Sequence, residues 1–263
     1  MRARTGVPRI ERNGVGAAVE VLNKGRGDSV VLVHGDVFGA EMTWQAQEPL
    51  AEQFHLRLVN RRGFGNSIDT EAEDFEVDAH DVAALLVGST HLVGHSYGAV
   101  VALLAAAERP DAVRSLTVFE PPAFALTADR ADTREFVAKI RSVIDSQPTA
   151  QEFLPRFIAA VGGDPARLPK PLPPPLVKAA GVLLHGRWPW EAQIPVDALA
   201  VTAFPKLVVS GGHSSVFDGV CDVLEARLSA QRAVLTGAGH SIPTLGQPVN
   251  ELLARFWTTG TIG

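Results

Sequence analysis

Cysteine is almost missing from this chain. Cys221 is the single example in 263 residues, so no intrachain disulfide can form, and a reducing compartment, the cytoplasm, is the expected setting. Cys221 itself reads as a small buried apolar residue on a helix. A surplus of positive charge is missing too: 24 Lys and Arg stand against 29 Asp and Glu, a net charge of -5. With no basic run, neither nucleic acid nor an anionic membrane surface is an expected partner. Long apolar runs are absent. The best of them, Val100 to Ala107, is far too short to cross a bilayer. No apolar h-region follows Met1-Arg-Ala-Arg4, so a secretory signal is not expected. Cofactor signatures are lacking as well. Gly14-Val-Gly16 has no third glycine and precedes its strand, which fails the dinucleotide fingerprint. His91 and His95 fall on a strand and a turn rather than on one helix face, so they make no metal pair. Neither cofactor nor metal is expected.

What is present describes an ordinary globular protein, 46% hydrophobic and 20% charged. The length suits one large α/β domain carrying an inserted subdomain. Arginine outnumbers lysine, and Ala, Gly and Pro are frequent, a composition that hints at a GC-rich bacterial genome.

Apolar runs and helical periods alternate along the first half. Residues 1–15 read as a loose lead-in, and Ala17 to Leu22 as a first strand. Val30-Val-Leu-Val-His34 is continuous and apolar, as in a central parallel strand. A helix is expected over Met42 to Gln53, a strand over Leu56 to Asn60, and a helix over Asp74 to Leu86. A strand then leads into Ser96, and another runs from Ser115 to Glu120. This alternation predicts a doubly wound, mostly parallel sheet. From Pro121 to about Phe204 no convincing strand occurs. Phe136, Ile140, Val143 and Ile144 fall at helical spacing, and Thr149 with Glu152 forms a capping-box pattern. Pro155 is expected to distort the helix that follows, and Pro169 to Pro175 to form a stiff spacer. The sheet resumes at Lys206 to Ser210. A helix follows at Phe217 to Leu228, then a last strand at Ala233 to Thr236 and a closing helix at Val249 to Phe256. The expected division is a core of residues 1–120 and 205–263, with residues 121–204 as a helical lid.

The chain is organised around Gly94-His-Ser-Tyr-Gly98, a G-x-S-x-G turn between an apolar strand and an apolar helix. Glycines on both sides let a strained turn pack tightly and leave the Ser96 hydroxyl clear at its apex. The N–H of Tyr97 then lies at a helix N-terminus, where an oxyanion would be stabilised.

Four motifs, in order and in their strand context, resemble the α/β-hydrolase superfamily. His34-Gly35 resembles its oxyanion loop, and Asn60-Arg-Arg-Gly-Phe-Gly-Asn-Ser67 its D-x-R-G-x-G-x-S loop, with Asn60 where Asp is usual. Gly94 to Gly98 matches the nucleophile elbow, and Gly237-Ala-Gly-His240 the late G-x-G-H turn. The resemblance implies a serine hydrolase that attacks a small or medium carboxylic ester, lactone or thioester. Ser96 is then the nucleophile, and His240, the only histidine after the last strand, its base. Asp36, after His34-Gly35, supplies the second oxyanion N–H beside Tyr97. Three roles stay open for the Asp36 side chain: capping the adjacent turn, bonding a substrate group, or facing the hole and opposing an oxyanion.

The family usually carries its acid in a G-x-x-D turn after the penultimate strand. Here that turn is Gly211-Gly-His-Ser214, and a neutral Ser214 cannot balance an imidazolium. Glu120 is the preferred acid, because some members place theirs at this earlier strand end; Pro121 is expected to keep it extended. Asp218 is the alternative. Trp44, Trp188, Trp190 and Phe38 are candidate pocket walls. His34 and His95 read as scaffold. Other triad chemistries (cofactor-free haloperoxidase-like perhydrolysis, C–C hydrolysis, cyanohydrin cleavage) and a non-catalytic ligand-binding protein are the rival readings. No oligomeric state is implied.

Overall fold

A computed structural model describes residues 18–263. The expected lead-in at 1–15, the start of the first strand at Ala17 and the Gly14–Gly16 pair lie outside the described residues.

Seven strands form one sheet in the order β1-β3-β2-β4-β5-β6-β7. The edge strand β1 (Glu20–Lys24) runs antiparallel to β3 (Phe54–Asn60), and every other pairing is parallel. The first strand therefore begins later than the apolar pattern suggested, since an edge strand shows one face to solvent and carries a weak apolar signal. β2 (Asp28–Val33) splits its continuous apolar run between the two faces of the sheet. Val31 and Val33 join the core under one layer of helices, and Val30 and Leu32 the core under the other.

The helix expected over Met42 to Gln53 breaks in two. α1 (Ala40–Thr43) ends at Trp44, and a 3₁₀ segment, Gln45–Glu52, takes over with Pro49 inside it. Proline supplies no N–H to an α-helical ladder. α2 (Phe75–Leu85) starts from Asp74, whose carboxylate accepts from the N–H groups of Glu76 and Val77. β4 (Thr90–His95) leads through Ser96 into α3 (Tyr97–Glu108), most of which is buried. β5 (Val113–Phe119) follows.

No strand lies between β5 and β6 among the described residues. That stretch carries α4 (Ala131–Asp145), α5 (Ala150–Ala160), α6 (Pro174–His185) and α7 (Val196–Ala200). The capping box at Thr149 and Glu152 is formed. α5 continues through Pro155, although proline supplies no N–H to the helical ladder. Pro174 opens α6 rather than belonging to a spacer, because proline's fixed φ suits the first helical position. Helices α4, α5 and α6 share an apolar cluster of their own, centred on Ile140, Phe153, Phe157, Leu183 and Trp188.

β6 (Lys206–Ser210), α8 (Ser215–Leu228), β7 (Gln231–Val234) and α9 (Gln247–Thr259) complete the chain. β7 starts two residues before the expected strand, because its register is set by pairing Leu207 with Gln231. As an edge strand it carries polar residues that the apolar pattern does not reveal. Cys221 is buried on α8. No described helix is long and apolar enough to cross a membrane.

Candidate active site

The site lies at the carboxyl ends of the central strands, where a parallel sheet opens its crevice. β4 ends at His95, and Ser96 turns the chain with φ 54° and ψ −127°, a left-handed conformation that a non-glycine residue adopts only under constraint. The flanking glycines are sterically required. A Cβ on Gly94 would stand 2.3 Å from the Gly98 carbonyl oxygen, and one on Gly98 would stand 2.3 Å from that of His34. The Ser96 N–H donates to Phe119 O at 2.9 Å, tying the turn to β5.

His240, in the loop after β7, reaches back to the turn. Its Nε2 lies 2.8 Å from Ser96 Oγ, and its Nδ1 lies 2.9 Å from Glu120 Oε2. The other carboxylate oxygen of Glu120 accepts from the Gly211 N–H at 2.6 Å. This leaves one arrangement of protons in which every partner is satisfied: Nδ1–H donates to Glu120 and Nε2 accepts from the serine hydroxyl. His95 Nε2 donates to the His240 carbonyl oxygen at 2.8 Å and holds the loop in place.

Glu120 is not the extended strand terminus expected from Pro121. β5 ends at Phe119, and Glu120 has φ 47°. Its N–H donates to Val209 O at 2.9 Å, so the neighbouring strand β6 fixes the kink that aims the side chain at His240. Asp218, the alternative acid, is bonded to Ser210 Oγ and lies 3.3 Å from Arg232 Nη2. Its carboxylate serves the β6–α8 junction rather than the imidazole. Ser214 is the N-cap residue of α8.

Burial sets the charge states. It pushes His240 down to about 3, with His213 acting in the same direction, and His95 down to about 4. Both rings are neutral near pH 7. Burial pushes Glu120 up to about 7, against the opposing pull of the Gly211 N–H and of His213. His213, which the sequence reading passed over, sits with Nδ1 3.5 Å from Glu120 Oε1.

Behind the loop His34-Gly35-Asp36 lies a second missed residue, Arg61. It is fully buried and donates to the carbonyl oxygens of His34 (3.2 Å) and Gly35 (3.0 Å). It also meets Asp36 at 3.0 Å, Glu73 at 3.1 Å and Asp78 at 2.7 Å, and its guanidinium covers the Tyr97 ring at 4.3 Å. Burial alone would lower Arg61, but the three carboxyl groups reverse this and keep it charged. Burial also drives Glu73 well above the usual carboxylate range, and it shares a side-chain hydrogen bond with Asp36. The Asp36 carboxylate therefore turns toward Arg61. Gly35 abuts the nucleophile, since a Cβ there would stand 2.9 Å from Ser96 Cβ. Val37, at φ 73°, closes a tight turn in which Phe38 N–H donates to Asp36 O at 2.8 Å. Tyr97 is the first residue of α3, so its N–H has no partner four residues back.

His34 accepts from the Arg61 N–H through Nε2 at 3.0 Å, and Nδ1 bonds Gly35 O at 2.6 Å, a scaffold arrangement. Asn60 does what an Asp could not: its Oδ1 accepts from Ala40 N–H at 2.9 Å while its Nδ2 donates to Glu20 at 2.8 Å. His91 bonds Ser115 Oγ at 2.7 Å, away from His95.

A small, largely apolar pocket opens over Ser96 and His240. Its walls are Phe124, Phe136, Phe157, Phe217 and the stacked pair Trp188 and Trp190, whose ring centroids lie 4.8 Å apart. Trp44 is not a wall. It is 1% exposed and packs against Phe119 in the core on one face of the sheet. Phe38 packs on the apolar cluster of α4 to α6 and is not part of the lining.

The model of the Alpha/beta hydrolase family matches residues 30–255. A pimeloyl-[acyl-carrier protein] methyl ester esterase of Aeromonas hydrophila is 28% identical over 261 residues, covering 91% of this chain and 99% of that protein. The enzyme of the same name from Aeromonas salmonicida is 34% identical over 110 residues, which are 41% of this chain and 43% of its own length. Among solved structures, a thermophilic esterase from Thermogutta terrifontis superposes with a TM-score of 0.69 at 24% identity, covering 97% of this chain and 98% of that one. With most of its length inside the family match, the chain belongs to the Alpha/beta hydrolase family.

Proposed function

We propose that this chain is a serine hydrolase that cleaves a small or medium carboxylic ester, lactone or thioester through an acyl-enzyme on Ser96. The observation that carries the proposal is the continuous hydrogen-bond chain from Ser96 Oγ through His240 to Glu120, at 2.8 and 2.9 Å. A serine hydroxyl attacks a carbonyl only when a base takes its proton in the same step, and neutral Nε2 is that base. As the proton arrives, the imidazolium is balanced by the Glu120 carboxylate at Nδ1. The oxygen of the tetrahedral intermediate is held by the N–H groups of Tyr97 and Asp36. Collapse expels the alcohol or thiol, which takes the proton from Nε2. Water then gives a proton to Nε2 and attacks the acyl carbon, and Ser96 leaves with that proton restored.

Residues 121–204 act as the lid, its helices α4 and α5 and the Trp188–Trp190 segment facing the pocket, and the acyl portion lies among their aromatic walls. The relatives named for methyl ester hydrolysis support an ester as the substrate class. The test is hydrolysis of short- and medium-chain p-nitrophenyl esters by wild type and Ser96→Ala. Turnover that vanishes in the variant supports the reading, and a folded wild type inert to every ester removes it.

A further inference from the structure

His213 is the titratable group at the site for which the acyl-transfer scheme has no use. Its ring is partly exposed and stacks against Phe217, the ring centroids 6.0 Å apart. With Glu120 and His240 it forms a group of three whose ligand atoms all lie within 4.8 Å of one another, the one such group among the described residues. Two imidazole nitrogens and one carboxylate oxygen are the donor set of a three-ligand zinc site that leaves its fourth position open to water. The spacing is close to what such a site needs. With metal–ligand bonds of about 2.0–2.2 Å, a tetrahedral edge is about 3.3–3.6 Å long. Glu120 Oε1 and His213 Nδ1 are 3.5 Å apart, the length of such an edge, whereas Glu120 Oε2 and His240 Nδ1, at a hydrogen-bond distance of 2.9 Å, must separate by about half an ångström to admit a metal to the carboxylate. Glu120 is also held from behind by the Gly211 N–H at 2.6 Å, the outer support that fixes a ligating carboxylate.

We propose that Glu120, His213 and His240 form an inhibitory site for a divalent transition metal, Zn²⁺ being the best match to its ligands. The inhibition follows from the protons on one ring. In the resting site Nδ1 of His240 carries the proton and Nε2 accepts from Ser96. A metal on Nδ1 displaces that proton, and a neutral imidazole then carries it on Nε2. The ring now offers Ser96 a donor where it needs an acceptor, and the Glu120 carboxylate is bound to the metal. Base and acid are withdrawn together, and removal of the metal restores both.

The inhibitory consequence rests on the serine-hydrolase reading, but the binding does not, so the two are read separately. Calorimetric titration of the whole protein with ZnCl₂ should show one site, weakened at least about tenfold in His213→Ala and in His213→Asn through loss of a ligand. Co²⁺ added to Ser96→Ala protein should give the visible absorption of a four-coordinate N/O site, and this band should be lost in Ser96→Ala/His213→Ala. In the p-nitrophenyl ester assay Zn²⁺ should inhibit wild type reversibly to EDTA. The His213 variants, each referred to its own metal-free rate, should need at least about ten times more Zn²⁺. Equal Zn²⁺ affinity in wild type and both His213 variants would place any bound metal elsewhere and overturn the proposal. Absent ester turnover with His213-dependent Zn²⁺ binding intact would overturn the hydrolase reading and leave the metal site standing.

Discussion

Glu120 meets His240 Nδ1 at 2.9 Å from a backbone held at φ 47°. A non-glycine residue in that conformation costs on the order of 1–3 kcal/mol and persists only where its surroundings enforce it. The bond from its N–H to Val209 O and the bond from the Gly211 N–H to its carboxylate supply that enforcement. Glu120→Gln is expected to keep the fold and lower kcat by about 10³–10⁴, because an amide cannot both fix the tautomer and balance an imidazolium. Asp218→Asn, which alters a group bonded to Ser210 and Arg232, should leave kcat within a few fold. Steady-state kinetics of the two variants checks the assignment, and the reverse order would make Asp218 the acid.

The pH profile follows from the two shifted groups. Turnover needs His240 neutral and Glu120 ionised, and both forms increase as pH rises. His240, pushed down to about 3, is already neutral across the useful range, while Glu120, pushed up to about 7, is not ionised until neutrality. kcat/KM for an uncharged ester should therefore rise with pH through an apparent pKa of about 7, a property of the coupled pair, and then level off. A profile flat from pH 5 to 9 would contradict the charge states assigned to the pair.

Arg61 concerns stability and positioning together. Removing the guanidinium strands three buried carboxyl groups and frees the carbonyl oxygens of His34 and Gly35. Arg61→Met should destabilise the protein by about 3–5 kcal/mol and lower Tm on the order of 10 °C. Arg61→Lys should recover part of the Tm while still impairing kcat, since a single ammonium cannot hold both carbonyls and the carboxylates at once. Thermal melts beside kinetics separate the two effects.

Gly98 tests the packing of the turn. A Cβ there would meet His34 O at 2.3 Å, which forces the oxyanion loop and the elbow apart by a substantial fraction of an ångström. Gly98→Ala should cost about 10² in kcat, with circular dichroism reporting a retained fold.

Much of this was legible because it depends on local chemistry. The two glycines around Ser96 announce a turn that no Cβ could enter, and the apolar alternation gave the order of strands and helices. The pairing of Glu120 with His240 was within reach because some members of the resembled superfamily carry their acid at the end of the strand after the nucleophile helix, and Glu120 directly follows β5. Its left-handed backbone was not, because the kink is imposed by Val209, a partner far away in sequence. Arg61 was hidden for a related reason: its partners Asp36, in the loop after β2, and Glu73 and Asp78, at the start of α2, converge on it only in the fold. The helix expected at Met42 to Gln53 failed where Pro49 outweighed the apolar period. Trp44 failed as a wall because a tryptophan in sequence does not say which face of the sheet receives it.

The central claim is that Ser96 is a nucleophile made reactive by His240. A fluorophosphonate probe, which bonds covalently to an activated serine, followed by peptide mass mapping, tests it most directly. A single label is expected on the peptide containing Ser96, absent in Ser96→Ala and strongly slowed in His240→Ala. A folded wild type that takes no label on Ser96, or a Ser96→Ala protein that still hydrolyses esters at the wild-type rate, would contradict it.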